Sequence, residues 1–380
     1  MGALGKSTFE NYQRNAEKMR IGVIGTRGIP NHYGGYEQFA EYFSQYMIQN
    51  GHDISVYSSS LHPYQEKYFN GVRLIHCFDP EDKLGTFGQF IYDFNCILNS
   101  RKQHFDIILQ LGYTSSSIWG WLLPKDTVIV SNMDGLEWKR SKYNWAVRQF
   151  LKLAEYLAVK TSDYYIADSK GIQSYLKDKY DIYSEFIAYG VHANQKIDSK
   201  LFFEMKLKIG EYNMLIARME PENNIETILD GVVKSFIAEP FIVIGNASNS
   251  FGRKLQNKFR KYENIKFIGA FYDLASLNFL RTNARFYFHG HSVGGTNPSL
   301  LEAMVSKACI CAHGNTFNNS ILGENGFYFQ NSEDVAKLLN SKHTDCQEQK
   351  ERNYKKVVEN FSWERINSAY ETYLESCLKA

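Results

Sequence analysis

From residue 21 onward, short apolar runs alternate with stretches in which apolar positions recur every three or four residues. The runs at 21–24, 54–57, 72–76, 107–111, 128–130, 165–167 and 186–188 read as strands. Between the first two, Phe39, Tyr42, Phe43, Tyr46 and Met47 keep helical spacing, and the segment stops at Asn50-Gly51, a helix terminator. This is a β-α-β unit, and its repetition predicts a parallel sheet covered by helices on both faces, the doubly wound α/β class. The rhythm pauses between Gly190 and about Gly210, then restarts with runs at 214–217, 241–244, 265–268, 286–289, 309–312 and 327–329.

Two such series, in a chain of 380 residues, predict two Rossmann-like domains facing a central cleft. The expected organisation is a flexible polar extension over 1–18, an N-terminal domain over 19–195, a C-terminal domain over 196–362 and a closing helix over 363–380. In that helix Trp363, Ile366, Tyr370, Tyr373 and Leu374 form an apolar face, expected to pack back on the N-terminal domain. Gly5-Lys6-Ser7 mimics the end of a P-loop, but no strand or earlier glycine precedes it, so the match is chance.

Composition narrows the function classes. Lys and Arg total 43 against 41 Asp and Glu, a formal charge of +2, which supplies no overall attraction to nucleic acid. The six cysteines lack the paired spacing of a zinc site or disulfide framework and read as reduced thiols. No run approaches the ~20 apolar residues of a membrane span, nor do the first twenty residues contain a signal-peptide core. The expectation is a cytoplasmic protein needing neither cofactor nor metal.

The candidate chemistry concentrates in residues 289–304. A strand ends at His289, glycines 294 and 295 follow, and Asn297-Pro298 is a helix start with a cap and a proline in the first turn. The unpaired N–H groups of that helix and the adjacent glycines suit a diphosphate, with Glu302 one turn in to accept from ribose or sugar hydroxyls. A plain tight turn and a solvated Glu302 satisfy the same spacing. Upstream, Leu215-Ile216-Ala217-Arg218 ends a strand in a guanidinium that can offset phosphate charge without a metal. Gly22, Gly25 and Gly28 are spaced three apart, which is not the dinucleotide fingerprint, and no ribose-binding acid ends the second strand.

The residues around Glu302-Ala303 and Arg218, with the glycine loop Gly25-Thr26-Arg27-Gly28-Ile29-Pro30 and the later Gly34-Gly35, resemble glycosyltransferase family 4, whose fold is GT-B. Residues 132–140, Asn-Met-Asp-Gly-Leu-Glu-Trp-Lys-Arg, resemble a bacterial subgroup that includes capsule rhamnosyltransferases. The resemblance implies that Glu302 holds the donor ribose and that Arg218 binds the diphosphate. It further implies that Gly34, Gly35, Gly294 and Gly295 line the donor site. Two family residues are absent: Gly294 stands where a first Glu is expected, leaving Thr296 or Asn297 to contact the sugar, and Asn223 and Asn224 replace a Lys.

Asp134 follows a strand and is a candidate to orient the acceptor hydroxyl, helix capping being its alternative. His32, Tyr33 and Glu137 are assigned to the acceptor side, and His291 lies beside the glycine loop as a further catalytic candidate. Residues 138–160 interleave Lys and Arg with aromatics, fitting either peripheral contact with an anionic membrane or an ordinary amphipathic helix. The expected function is metal-independent transfer of a hexose or deoxyhexose from a nucleoside diphosphate to a saccharide acceptor, lipid-linked in surface polysaccharide synthesis. A nucleotide-sugar epimerase and a non-catalytic nucleotide-sugar-binding partner remain as alternatives.

Overall fold

The computed structural model describes residues 18–32, 34–133, 135–140, 143–193, 196–341 and 346–380. Apart from Lys18, the expected extension lies outside the described residues, as do Asn194 and Gln195 at the expected junction. The first sheet contains β1 (Arg20–Ile24), β2 (Asp53–Ser59), β3 (Tyr68–Phe69), β4 (Val72–Cys77), β5 (Ile107–Leu111), β6 (Val128–Asn132), β7 (Tyr164–Ala167) and β8 (Glu185–Phe186), in the order β3-β4-β2-β1-β5-β6-β7-β8. The second contains β9 (Asn213–Ile216), β10 (Phe241–Ile244), β11 (Ile265–Gly269), β12 (Phe286–His289), β13 (Ile310–His313) and β14 (Phe327–Phe329), ordered β11-β10-β9-β12-β13-β14.

Every described pairing of these strands is parallel except β3 on β4. That two-residue edge is too short to leave a periodic signal, and the hydrophobic pattern missed it. Conversely, the run at 186–188 runs past β8, which is Glu185–Phe186: Ile187 still donates its N–H to the Ala167 carbonyl of β7 at 3.1 Å, and Ala188 lies beyond the strand.

Central strands such as β5 are buried along their whole length, as parallel strands covered on both faces must be. The strand order reverses between β1 and β5 in one sheet and between β9 and β12 in the other. At such a switch point successive connections leave to opposite faces, so a crevice opens off the strands' carboxyl ends. The two crevices face one another.

The chain returns to its first half at the end. Val191 forms an isolated parallel bridge with Ser362, its N–H donating to the Phe361 carbonyl at 2.8 Å. The final helix, Trp363–Lys379, then lies along helix Gly35–Gln49. Phe39 and Tyr370 pack with ring centroids 4.6 Å apart, Tyr42 and Trp363 at 4.9 Å, and the Asn132 amide donates to the Tyr370 hydroxyl at 2.9 Å. One apolar cluster runs through both halves, from Val23 and Phe39 through Trp363 to Met214 and Leu300. All six cysteines are buried. Among the described residues no helix is long and apolar enough to cross a membrane.

Candidate functional site

Between the two switch points lies a cavity of about 1070 Å³, lined by loops from the carboxyl ends of strands of both sheets. The second sheet supplies Arg218 after β9, His289 at the end of β12, and Gly290, His291 and residues 293–299 after it; the first supplies residues 25–27 after β1, 112–116 after β5 and Asp168 after β7. Arg218, His291, Gly294, Gly295, Thr296, Asn297 and Glu302, dispersed over 85 positions of sequence, therefore face one space.

Helix Pro298–Val305 starts as its sequence dictates: Asn297 accepts from the Ser299 N–H at 2.9 Å, and Pro298 occupies the first turn. Gly294 has φ +121°, a conformation that side chains rarely adopt, so the loop has no place for a glutamate there. Gly295 is dictated by contact instead. A Cβ on it would lie 1.8 Å from an Asp168 carboxylate oxygen, so the second half's loop reaches the first half at that point. The Thr296 hydroxyl donates to the Asp168 carbonyl at 2.5 Å, which commits its proton to joining the two halves rather than to a ligand.

Glu302 lines the cavity, but one of its oxygens takes Arg281 Nη2 at 2.5 Å. The Arg281 side chain is 1% exposed, so a buried guanidinium neutralises and aims the carboxylate. Sequence reading missed Arg281. Its signal is its position: Leu277, Leu280, Arg281 and Ala284 share the buried face of helix Leu274–Asn283 and its end, where a charge demands a partner.

Asn223, standing where a lysine was expected, does positional work. Its amide donates to the Arg218 carbonyl at 2.7 Å while its oxygen meets His291 Nδ1 at 2.9 Å. With the amide hydrogens directed to Arg218, the oxygen can only accept, so His291 carries its proton on Nδ1 and leaves Nε2 as an acceptor beside Gly294. Burial, then Arg140 and Arg218, push the His291 pKa down to about 4, keeping the ring neutral. His289, one strand position from the loop, is buried and lowered to about 3, first by burial and then by His291 and Arg281.

On the first half's side, Glu137 lines the cavity and pairs with Arg140 Nη2 at 2.6 Å; Arg140 also reaches the buried Glu222 of the second half at 3.7 Å. Gly34 and Gly35 line the cavity at the start of helix Gly35–Gln49. His32 does not line it: the residue is exposed and its ring sits edge-on to His62 at 6.3 Å. Asp134 and Tyr33 lie outside the described residues. Asp93, which sequence reading missed, lines this wall and accepts from Ser115 Oγ at 2.5 Å. Burial raises its pKa to about 7, with Asp79 adding to the rise and Ser115 and Arg27 opposing it.

Four arginines line the cavity. Arg27 is held by both oxygens of Glu81, at 2.9 and 2.7 Å, Arg140 by Glu137 and Glu222, and Arg281 by Glu302. Arg218 is exposed and its guanidinium has no ion pair among the described residues. Among the described residues that line the cavity, it is the arginine without a carboxylate partner.

Residues 18–192 match the family model described as "Domain of unknown function (DUF1972)". No curated protein matches the chain in sequence. Among solved structures, sucrose-phosphate synthase from Thermosynechococcus elongatus superposes with a TM-score of 0.78 at 15% identity, covering 95% of this chain and all of that one. The fold is GT-B. HepE from Anabaena in complex with UDP and glucose gives 0.71 at 15% identity over 94% of this chain and all of that one. A glycosyltransferase from Rickettsia africae gives 0.71 at 15% over 96% and 99%. In this GT-B fold, the cleft between the halves is the cavity described above.

Elsewhere, His52, Glu371 and Glu375 approach within metal-ligand spacing. His52 Nδ1, however, accepts from the Met19 N–H at 3.2 Å, so Nε2 carries the proton and donates to Glu371 at 2.9 Å. That tautomer offers a metal no lone pair at Nε2. Helix Trp145–Thr161, at the heart of the basic aromatic stretch, turns a carboxylate inward. Glu155 accepts from Tyr175, Tyr180 and Lys179, each at 2.7 Å, from Trp138 at 3.2 Å and from Tyr113 at 3.4 Å. Lys139, Lys152 and Lys179 lie over the Trp138 ring within 6 Å, so part of the predicted basic face is folded onto an aromatic.

Proposed function

We propose that this protein transfers a sugar from a nucleoside diphosphate to a saccharide hydroxyl in the cleft between its two sheets. The observation that carries this reading is the disposition of cations: three of the four cavity arginines are neutralised and Arg218 is not. Arg218 and the amino end of helix Pro298–Val305 converge on the same space, the arrangement that stabilises a diphosphate as it gains charge. The anomeric carbon–oxygen bond to the diphosphate breaks with its electron pair leaving on the phosphate. A new bond forms to the acceptor oxygen, whose proton is lost. Glu302, aimed by Arg281, is the group for ribose hydroxyls. The GT-B likeness to HepE with UDP and glucose bound supports a nucleotide-sugar donor.

The resemblance of residues 132–140 to rhamnosyltransferases points to a hexose or deoxyhexose such as rhamnose, transferred with retention during surface polysaccharide synthesis. A lipid-linked acceptor at a membrane surface is favoured by a separate feature. Phe87 and Trp145 are 64% and 76% exposed, and aromatic contacts run from Phe87 to Phe90 to Phe150, next to the cavity residues Thr86 and Gln89. Flotation with phosphatidylglycerol vesicles, lost in Phe87→Ser/Trp145→Ser, is the expected result for this part.

The donor assignment is tested by thermal shift with UDP, dTDP and GDP and their sugars. At least one should stabilise the protein, and Arg218→Ala should abolish that shift. Equal responses of wild type and variant would sink the assignment.

A further inference from the structure

The two walls of the cleft differ in charge. On the second half's wall stand Arg218, without an ion pair among the described residues, and a helix amino end. On the first half's wall stand Asp79, Glu81 and Asp93, and the arginine beside them, Arg27, is clasped by both oxygens of Glu81. Gln89 donates to the same carboxylate at 3.3 Å.

Asp79 is fully occupied: one oxygen accepts from Ser59 Oγ at 2.6 Å and the other from the Glu81 N–H at 2.9 Å. Asp93 is not. Its side chain lines the cavity although the residue is only 5% exposed, and among the described residues its hydrogen bonding is confined to the bond from Ser115 to one oxygen. The second carboxylate oxygen opens on the cavity with acceptor capacity to spare, and a sugar hydroxyl supplies a donor that can replace water there. A phosphate dianion supplies none and would meet the carboxylates of that wall, whose arginines among the described residues, Arg27 and Arg140, are already held by Glu81, Glu137 and Glu222.

We propose that Asp93, with Ser115, Gln89 and the Arg27–Glu81 pair, forms an acceptor subsite that takes an uncharged saccharide and excludes sugar phosphates. Asp93 is the specificity-determining group. The elevated pKa of Asp93 agrees: a hydroxyl donor relieves part of the desolvation that raises it, whereas an added anion would aggravate it. This inference rests on the glycosyl-transfer reading, because it names the acceptor for that same cleft.

The test saturates the protein with UDP, dTDP or GDP, whichever binds, and then titrates glucose, mannose and N-acetylglucosamine, each free and as its 6-phosphate, by saturation-transfer NMR. At least one free sugar should bind, its 6-phosphate should bind at least tenfold more weakly, and Asp93→Asn should weaken the free sugar about tenfold or more. The milder Gln89→Ala should weaken it severalfold, and nucleotide affinity within twofold of wild type shows that each variant is folded. Equal or tighter binding of the phosphates, absence of binding by every sugar, or free-sugar binding indifferent to both substitutions would overturn the proposal. Failure to bind any of the three nucleotides would instead overturn the glycosyl-transfer reading.

Discussion

The Thr296 hydroxyl donates to the main-chain carbonyl of Asp168, and this bond ties the loop after β12 of one sheet to the end of β7 in the other. Gly295 sits against the same aspartate's carboxylate, and a Cβ on Gly135 would lie 2.8 Å from the Gly294 Cα. These contacts describe a closed cleft, a state that keeps water from a reactive donor. Gly295→Ala should therefore hold the halves apart. Small-angle scattering should give a larger radius of gyration with nucleotide bound, and donor turnover should fall at least tenfold. Thr296→Val removes one hydrogen bond, worth about 1 kcal/mol, and should cost about fivefold. An unchanged radius and rate in Gly295→Ala would refute the closure argument.

Arg281 and Glu302 form a pair in which the cation is buried and the anion reaches the cavity. Removing Glu302 alone leaves a guanidinium without its counter-charge, so Glu302→Ala should destabilise by about 3 kcal/mol in urea unfolding. Arg281→Met/Glu302→Leu should regain most of that stability yet still fail to bind nucleotide. Recovery of binding in the double variant would remove Glu302 from the site.

Glu155 gathers three tyrosines, a tryptophan and a lysine. Glu155→Ala strands several half-buried donors at once and should cost about 3 kcal/mol or more. Because Arg218 belongs to the opposite wall, nucleotide affinity of the folded protein should change less than twofold. Calorimetric titration alongside urea unfolding separates the two effects.

Asp93 predicts a pH signature. Its folded pKa, about 7, lies above the ordinary carboxyl value of 3.8, so between these values the native state holds a proton that the unfolded chain has released. Stability is then largest below about pH 4 for this group and falls as pH rises towards 7, by at most about 4 kcal/mol. Asp93→Asn lacks that loss, so its melting temperature relative to wild type should climb between pH 5 and pH 8. Parallel melting profiles across that range would show that Asp93 does not titrate there.

Strand positions were legible in the sequence because buried parallel strands are continuous apolar runs. The runs 107–111, 241–244, 286–289 and 327–329 coincide with β5, β10, β12 and β14. The helix start at Asn297-Pro298 was legible too, since a cap and a proline act through neighbouring N–H groups alone. β3 was not, because two residues pinned to an edge carry no period. Asp93 and Arg281 escaped for a different reason: each lies among apolar neighbours of an amphipathic helix, and only burial reveals that its charge needs a partner.

By itself the sequence determined the alternation of elements, the fold class and the loop chemistry around residues 289–304, all set by interactions between residues close in the chain. Tertiary structure alone decided which arginine stays free, which carboxylate faces the cavity and where the two halves touch. Those outcomes depend on polar groups brought together across 21 to 128 positions of sequence, as in the Arg281–Glu302 ion pair and the Thr296–Asp168 hydrogen bond. Long-range charge neutralisation has no periodic trace in a sequence, because Coulombic pairing depends on distance in space and on exclusion of water, and the fold supplies both.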